Sequence, residues 1–205
     1  MLVIRSSPAS PFGRKVRIAA ALCLLTDGLR IEPADTTDPD DSLREQNPLG
    51  KIPVLITDDG TALYDSRVIV EWMDVQAGGD VIIPRGEARF AALTLQGLAD
   101  GMMEASILIV YEHRFRPEEK RHQPWTDYQG EKVARALSVL EAAPPAIGDR
   151  PHIGHIALAC ALGYRDFRFE GNGRAGNPGL VAWLDEFAAK VSAFAATTPA
   201  DPAPA

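Results

Sequence analysis

The hydrophobic pattern of this 205-residue chain changes once, near residue 87, and that change limits what the chain can fold into. Before residue 81, short apolar runs typical of strands alternate with helical patterns, whereas only long helical patterns follow residue 87. All strands must therefore pair within the first 80 residues. We predict an α+β N-terminal domain over residues 1–80, a linker over 81–86, an all-α C-terminal domain over 87–194 and a frayed tail over 195–205.

The first two strands are predicted to be parallel neighbours. Leu2–Ile4 and Leu29–Glu32 have the composition of short strands, and the segment between them has a helical pattern. Ser10–Pro11 is a strong helix start, because serine favours the N-cap and proline the first helical position. We expect this helix to run to Thr26 and to stop at Asp27–Gly28. A helical connection between two strands favours their parallel pairing.

A hairpin and a helix complete the predicted N-terminal domain. The strand over Ile52–Ile56 is entered through a proline, and Asp58–Gly60 is a turn signal before a return strand over Thr61–Tyr64. A helix follows from Arg67 to about Ala77, and one helical turn is expected near Leu43. The order is β-α-β, then β-β-α. The helices predicted for the C-terminal domain cover residues 87–116, 125–142, 152–167 and 178–194.

The charge balance restricts the partners of this protein. The formal net charge is −7, whereas nucleic acids and anionic membranes require a basic surface. The apolar run Ile18–Leu25 falls well short of the roughly 20 residues that span a bilayer, and residues 1–5 do not resemble a signal peptide. We therefore expect a soluble cytoplasmic protein that binds neither nucleic acid nor a membrane.

The two cysteines, Cys23 and Cys160, both lie in apolar runs. Such positions favour buried, reduced thiols, as is usual in the cytoplasm. The sequence has no C-x-x-C pair and no Cys/His cluster with the spacing of a zinc site. We predict that the protein binds no metal.

The Ile52–Pro53 bond has two interpretations. A cis isomer would turn the backbone N–H and C=O of Ile52 outward, so that an extended peptide could pair with them as an added strand. A trans proline would only begin an edge strand. The spacing of the residues leaves both open.

Two helix starts, at Ser10 and at Asp65–Ser66, present a similar choice. Helix N-termini carry unpaired N–H groups and a partial positive charge, so Ser66 could hold a carboxylate while Asp65 takes an ammonium group. The Ser10 hydroxyl could donate to a thiolate, whose pKa falls in such a place. The alternative at both starts is ordinary helix capping.

Taken together, these residues resemble the glutathione S-transferase family, and in particular bacterial members of a serine type. The resemblance is carried by three segments whose spacing is specific as a set, Ser10–Arg17, Asn47–Leu55 and Tyr64–Ser66. The helical second half, with a helix such as Ile156–Tyr164, fits the same family. The resemblance implies a thioredoxin-like N-terminal domain that holds glutathione, followed by an all-α domain.

The resemblance also implies roles for individual residues. Ser10 would hydrogen-bond the glutathione thiolate, with Ser6 and Ser7 as fallback candidates. The residues implied to bind glutathione are Lys51, the Ile52 backbone, a cis Pro53, Asp65 and Ser66. Arg14 would lie nearby as a further positive charge.

The chain departs from the family pattern in two places. Members that form mixed disulfides have a cysteine near the position of Ser10, and this chain has none there. The usual Ser/Thr-x-x-Asp capping box of the C-terminal domain is replaced by His152 and His155, so we expect that box to be absent. The first departure argues against a thiol reductase.

The second substrate is expected to bind against the helix that begins near Glu87. Its proposed pocket is lined by Met103, Ile107 and Tyr111, an apolar wall suited to hydrophobic electrophiles. The alternative is ordinary helix packing. In related proteins the region of Asp100 can reach the glutathione of a partner subunit.

The function implied is a glutathione transferase that activates the glutathione thiol for attack on a hydrophobic electrophile. Glutathione is then a co-substrate, and neither a metal nor an organic cofactor is indicated. The alternatives are a glutathione-dependent isomerase or reductase, and a non-catalytic binding or regulatory protein of the same fold. The resemblance also implies a homodimer.

Overall fold

The computed structural model describes residues 1–200. The chain forms two compact units, of which the first comprises Met1–Ala92 together with the segment from Val191, and the second comprises Leu93–Lys190. After Lys190 the chain thus returns to the first unit. The part of the predicted tail over residues 201–205 lies outside the described residues.

The first unit contains a four-stranded mixed sheet. Its strands are β1 (Leu2–Ser6), β2 (Leu29–Pro33), β3 (Val54–Ile56) and β4 (Ala62–Tyr64), in the spatial order β2-β1-β3-β4. β1 and β2 are parallel, while β3 is antiparallel to both β1 and β4. This thioredoxin-like arrangement confirms the predicted fold of the N-terminal half.

Three helices accompany the sheet: α1 (Pro11–Leu22), α2 (Leu43–Gln46) and α3 (Ser66–Gln76). α1 and α3 pack against each other, and α3 also contacts β3 and β4. The largest fully buried apolar side chains of this core are Ile4, Ile18, Leu43, Leu55, Ile69 and Met73.

α1 ends four residues before the predicted stop at Thr26. The Leu25 N–H donates to the Ala20 carbonyl, and the Leu24 N–H donates to the Ala21 carbonyl. These two bonds form a Schellman ending, which requires a left-handed residue after the cap. That residue is Leu24, with φ +56° and a side chain 86% exposed. The prediction of a longer helix was wrong because a non-glycine residue makes the left-handed turn.

The second unit is helical throughout its described elements, which confirms the predicted all-α half. α4 covers Glu87–Phe115, of which the first residues belong to the first unit, and a 3₁₀ turn follows at Glu118–Lys120. The remaining helices of the unit are α5 (Gln123–Ala142), α6 (Ile153–Arg168) and α7 (Pro178–Lys190). α6 lies at the centre, since every residue from 153 to 164 is buried.

The predicted helix over residues 178–194 is interrupted. α7 ends at Lys190, and a short helix α8 begins at Ser192 and ends at Ala196. The expected fraying from residue 195 is also wrong for the first residues, because α8 continues to Ala196 and Thr197 is buried. The composition of this segment does not reveal that it contacts α1, and those contacts keep it ordered.

A capping box begins α6, contrary to the expectation that it would be absent. The His152 Nδ1 accepts from the Gly154 N–H at 3.1 Å, and the His155 Nδ1 accepts from the His152 N–H at 3.2 Å. Their rings stack with centroids 3.6 Å apart. A neutral imidazole offers one acceptor nitrogen, so two histidines can satisfy the orphan N–H groups that serine and aspartate satisfy elsewhere.

One described helix, α4, is long and apolar enough to cross a bilayer by length and composition alone. The core helix of a soluble protein passes the same test. α4 carries charged residues along its length and contributes Ala99, Met102, Met103 and Ala105 to the buried interior.

Candidate functional site at one end of the sheet

The strand register brings the three predicted site segments to one end of the sheet. Arg5 lies opposite Val54, and Val54 lies opposite Tyr64. β1 and β4 end at this end of the sheet, whereas β3 begins there. The residues at or just beyond these strand ends therefore lie at the same edge. These residues are Ser6, Pro53 and Asp65.

Ser10 lies at the N-terminus of α1, just after β1 has left the sheet at this end. Its Oγ accepts from the Gly13 N–H at 3.0 Å, and its own N–H donates to the Ser7 carbonyl at 3.0 Å. Ser10 is therefore a helix cap, as the alternative of ordinary capping predicted. A capping serine uses a lone pair of its hydroxyl, so its O–H proton is still able to donate to a ligand.

The fallback serines are less suitable for contact with a thiol. Ser6 is buried, and a Cβ placed on Gly13 would lie 2.0 Å from the Ser6 Oγ. Glycine is therefore needed at position 13 for α1 to approach the end of β1 in this arrangement. The Ser7 Oγ is engaged locally, since it accepts from the Ala9 N–H at 3.3 Å.

The Ile52–Pro53 peptide bond is cis, and the loop before it is held by Asn47. The Asn47 side-chain amide donates to the Lys51 carbonyl at 2.8 Å, and its Oδ1 accepts from the Leu49 N–H at 3.1 Å. Asn47 is buried, whereas Lys51 is exposed. The sequence motif included Asn47 but assigned it no role; the structure shows that it fixes the path of the chain into Ile52.

Asp65 and Ser66 lie where β4 gives way to α3. Asp65 caps α3 by accepting from the Arg67 N–H at 2.8 Å, and its φ of +59° is unusual for a residue other than glycine. Such backbone strain is typical of functional sites. Ser66 begins the helix and is only 6% exposed. The N–H groups of the first turn and the helix dipole favour an anion here.

Arg14 does not lie free near this site, contrary to the sequence prediction. Its side chain is buried. The Arg14 Nη2 donates to the Phe194 carbonyl at 2.7 Å, and the Arg14 Nε donates to the Thr197 Oγ1 at 3.4 Å. The guanidinium carbon lies 3.8 Å from the centre of the Phe194 ring. Arg14 thus connects α1 to α8, and Lys51 is the exposed cation of the predicted set.

The residues predicted for the second substrate lie on α4 and differ in exposure. Met103 has no exposed surface, Ile107 is half-buried and Tyr111 is 39% exposed. Met103 is therefore not part of the proposed pocket wall, because a side chain without exposed surface cannot contact a substrate in this structure. Helix packing, the alternative interpretation, accounts for this residue.

Comparisons with known proteins agree with the architecture. Residues 9–76 match the model of the glutathione S-transferase N-terminal domain, and residues 110–186 match that of the C-terminal domain. The uncharacterized GST-like protein YibF of Escherichia coli K12 is 32% identical over 200 residues, covering 94% of this chain and 96% of its own length.

Solved structures agree as well. A glutathione transferase family member from Pseudomonas fluorescens Pf-5 with bound glutathione is 40% identical, with a TM-score of 0.90, and the match covers 98% of this chain and all of that one. A second structure from that organism, also 40% identical and with the same coverage, contains S-(propanoic acid)-glutathione and gives a TM-score of 0.87. With both domain models matched and near-complete coverage of these relatives, the chain belongs to the glutathione S-transferase family.

Proposed function

We propose that this protein is a glutathione transferase, which activates the thiol of glutathione and directs it to an electrophilic carbon. The observation that carries the proposal is the strand register, which gathers the turn before Ser10, the Ile52–Pro53 bond and the start of α3 at one end of the sheet. Solved family members of this fold hold glutathione.

Glutathione would be held by charge and backbone geometry at that end of the sheet. The α-carboxylate of its γ-glutamyl group would bind the Ser66 hydroxyl and the N–H groups of the first turn of α3, where the helix dipole is favourable. Asp65, exposed beside that turn, would take the ammonium group. Ile52 would pair through its backbone with the cysteinyl part, and Lys51 would reach a glutathione carboxylate.

Ser10 would stabilise the thiolate. A free thiol has a pKa near 8.5, and hydrogen bonds together with a helix N-terminus bring such a pKa toward neutrality. The Ser10 oxygen is already fixed by the Gly13 N–H, so its O–H can point outward without reorganisation when the thiolate forms. Ser10 then acts as a hydrogen-bond donor and forms no covalent intermediate.

The second substrate would contact the exposed part of α4, including Ile107 and Tyr111. The P. fluorescens relative was solved with glutathione whose sulfur bears a propanoic acid group, and such a thioether has the form of a conjugation product. This supports transfer of glutathione to carbon for the present chain.

The replacement Ser10→Ala tests the proposal. We expect the rate of conjugation to fall by roughly 10²-fold, as when one preorganised donor is removed from an oxyanion, and the pKa of the bound glutathione thiol to rise. Thiolate absorbance as a function of pH measures the second effect. Ser7→Ala is the matched control and should leave both quantities unchanged.

Two results would contradict the proposal. If Ser10→Ala retains the full rate with the thiol still ionised at neutral pH, Ser10 has no role in activation. If the electrophile is converted but glutathione is absent from the covalent product, the protein is not a transferase. It is then an isomerase if glutathione is returned unchanged, and a reductase if glutathione is oxidised.

A further inference from the structure

A small cavity lies within the second unit, between α5, α6, α7 and the segment 169–177 that joins α6 to α7. The volume open to the centres of water molecules is about 30 Å³, and one water molecule needs about 10–15 Å³ of such space. The cavity can therefore hold two or three waters, or a small organic molecule in their place. The residues proposed to bind glutathione do not line it.

The wall of this cavity is mostly apolar. Aliphatic side chains from α5, α6 and α7 contribute to it, namely Leu137, Leu162, Leu180, Val181 and Leu184. Leu162, Leu180 and Leu184 are buried. Because a purely apolar cavity of this kind stays dry, the polar groups in the wall decide which ligand fits. We call the space bounded by these five side chains and Arg165 the Arg165 cavity.

Arg165 of α6 brings a positive charge to the wall. Its Nε is buried and has no hydrogen-bond partner among residues 1–200, and no carboxylate in that part of the chain forms an ion pair with the guanidinium. The guanidinium carbon lies 3.8 Å from the centre of the Phe169 ring. The ring attracts the cation through its face, but it does not supply the oxygen acceptors that guanidinium N–H groups require.

The other charges at the cavity neutralise each other. Arg174 donates to both oxygens of Asp166, from its Nε at 2.8 Å and from its Nη2 at 2.5 Å. Arg165 therefore leaves the cavity with an uncompensated positive charge, in a protein whose formal net charge is −7. Burial lowers the pKa of Arg165, as expected for a cation that water solvates poorly. An anion bound here would offset the cost of burying that cation.

We propose that the Arg165 cavity binds a short-chain aliphatic monocarboxylate. The carboxylate would accept charge-assisted hydrogen bonds from the Arg165 guanidinium, and the alkyl chain would replace water against the leucine side chains. The limited volume favours chains of about two to four carbon atoms. Inorganic anions match the charge but leave the apolar wall uncovered. The inference is independent of the transferase function, because no residue proposed for glutathione takes part.

Calorimetric titration of the full-length protein with butyrate and with butyramide tests the role of the charge. Saturating glutathione is present throughout, so that Lys51 and Ser66 do not bind the added carboxylate. We expect butyrate to bind roughly 10- to 100-fold more tightly than butyramide. From acetate to butyrate the affinity should rise, by up to about fourfold per methylene group. Inorganic phosphate should bind more weakly than butyrate.

The variant Arg165→Met removes the charge and keeps a side chain of similar length. The preference for butyrate over butyramide should disappear in this variant. Without added carboxylate, the variant should be at least as stable to urea as the wild type, because an apolar group has replaced an uncompensated, partly buried charge. A role of Arg165 in stability alone predicts the opposite, a loss of stability with butyrate binding unchanged.

Two further variants locate the site. Arg135→Met is the matched control, since it removes an exposed arginine from α5 of the same unit, and it should retain the wild-type preference. Val181→Leu keeps Arg165 but adds a methylene group to the cavity wall. It should weaken the binding of butyrate more than that of acetate, because the longer chain needs the space that the leucine fills.

Three results would overturn the inference. These are equal affinity for butyrate in wild type and Arg165→Met, equal affinity of the wild type for butyrate and butyramide, and binding of phosphate as tight as that of butyrate. Each would leave the proposed transferase function untouched, since none of the variants alters a residue proposed to bind glutathione or the second substrate.

Discussion

At the scale of single residues, Asn47 shows how a buried side-chain amide can fix the path of a neighbouring loop, here the one that carries the proposed glutathione-binding residues Lys51 and Ile52. Its side chain accepts from Leu49 and donates to Lys51, while its carbonyl accepts from the Gly50 N–H at 2.8 Å. These bonds fix the chain immediately before Ile52. Without these bonds the backbone of the loop, which contains Gly50, could adopt several conformations.

We expect Asn47→Ala to destabilise the protein by about 1–3 kcal/mol, because it removes two partly buried hydrogen bonds that fix the loop. Glutathione affinity should fall as well, since the loop that carries Lys51 and Ile52 loses its fixed path. Denaturant unfolding and calorimetric titration measure the two effects. The exposed Asn172→Ala in the second unit is the control, and a similar loss in both variants would refute the positioning role.

The caps at Ser10 and Asp65 were predicted because their role is local, although the equally local capping by His152 and His155 was not. Ser10 and Asp65 are caps because a polar side chain at a helix start meets N–H groups two or three residues away, and that distance is set by the sequence. Arg14 and Met103 were misplaced because their surroundings are not local. The Arg14 contacts at Phe194 and Thr197 are 180 and 183 residues away along the chain.

At the scale of elements, the loop after α3 is held by one carboxylate. Asp74 is buried, and its Oδ1 accepts from the N–H groups of Val81, Ile82 and Ile83 at 2.8–3.1 Å. Its Oδ2 accepts from the Asp80 N–H at 3.1 Å. The sequence predicts a linker here, from its proline and glycine residues. The structure adds that this linker is fastened to the end of α3.

The histidine capping box makes the start of α6 sensitive to pH. Burial, with a smaller effect from His152, lowers the pKa of His155 to about 4, and burial lowers that of His152 as well. Both rings accept hydrogen bonds through Nδ1, so protonation at that nitrogen ends the acceptor role. The other groups that act on His155 are the Ala146 backbone and, from α7, Glu186 and Lys190.

The sign of the effect follows from the lowered pKa. Between pH 6.5 and about 4 the unfolded chain binds a proton at His155 that the folded chain does not, so the folded state loses stability as the pH falls. The contribution is fully present above pH 6.5. It amounts to about 3 kcal/mol over the whole interval, at 1.36 kcal/mol per pKa unit.

We therefore expect His155→Gln to flatten the pH dependence of unfolding in this range. Glutamine can accept the same N–H at the third helical position, and it does not titrate. Urea unfolding at pH 7.5, 6.0 and 5.0 gives the comparison, with the exposed His113→Gln as control. Parallel stability profiles of wild type and His155→Gln would show that the box does not cause the acid sensitivity.

At the scale of the whole molecule, the chain closes its first unit with its own C-terminal segment. α8 packs against α1, and Thr197, which is buried, accepts from Arg14 and donates to the Ala193 carbonyl at 2.7 Å. Ser10 caps the N-terminus of α1, so the segment supports the helix beside the proposed thiol-activating residue.

A chain that ends at Val191 should be less stable by at least about 2 kcal/mol, since the buried Arg14 guanidinium loses two acceptors. Thermal unfolding measures this loss as a decrease in Tm of several degrees. A chain that ends at Thr198 keeps α8 and Thr197 and should match the full-length protein. Equal stability of the two truncated chains would contradict the role of α8.

Homodimer formation and a cytoplasmic location stay predictions.

The sequence by itself determined the order of the strands and main helices, the parallel pairing of β1 with β2, the β3-β4 hairpin, the caps at Ser10 and Asp65, and the family. These features depend on periodicity, on turn residues and on short motifs, each of which spans only a short stretch of sequence. Only the tertiary structure decided that Arg14 faces α8 and that Met103 is closed off from solvent. Such contacts join residues far apart in sequence, and which partners meet depends on how whole elements pack.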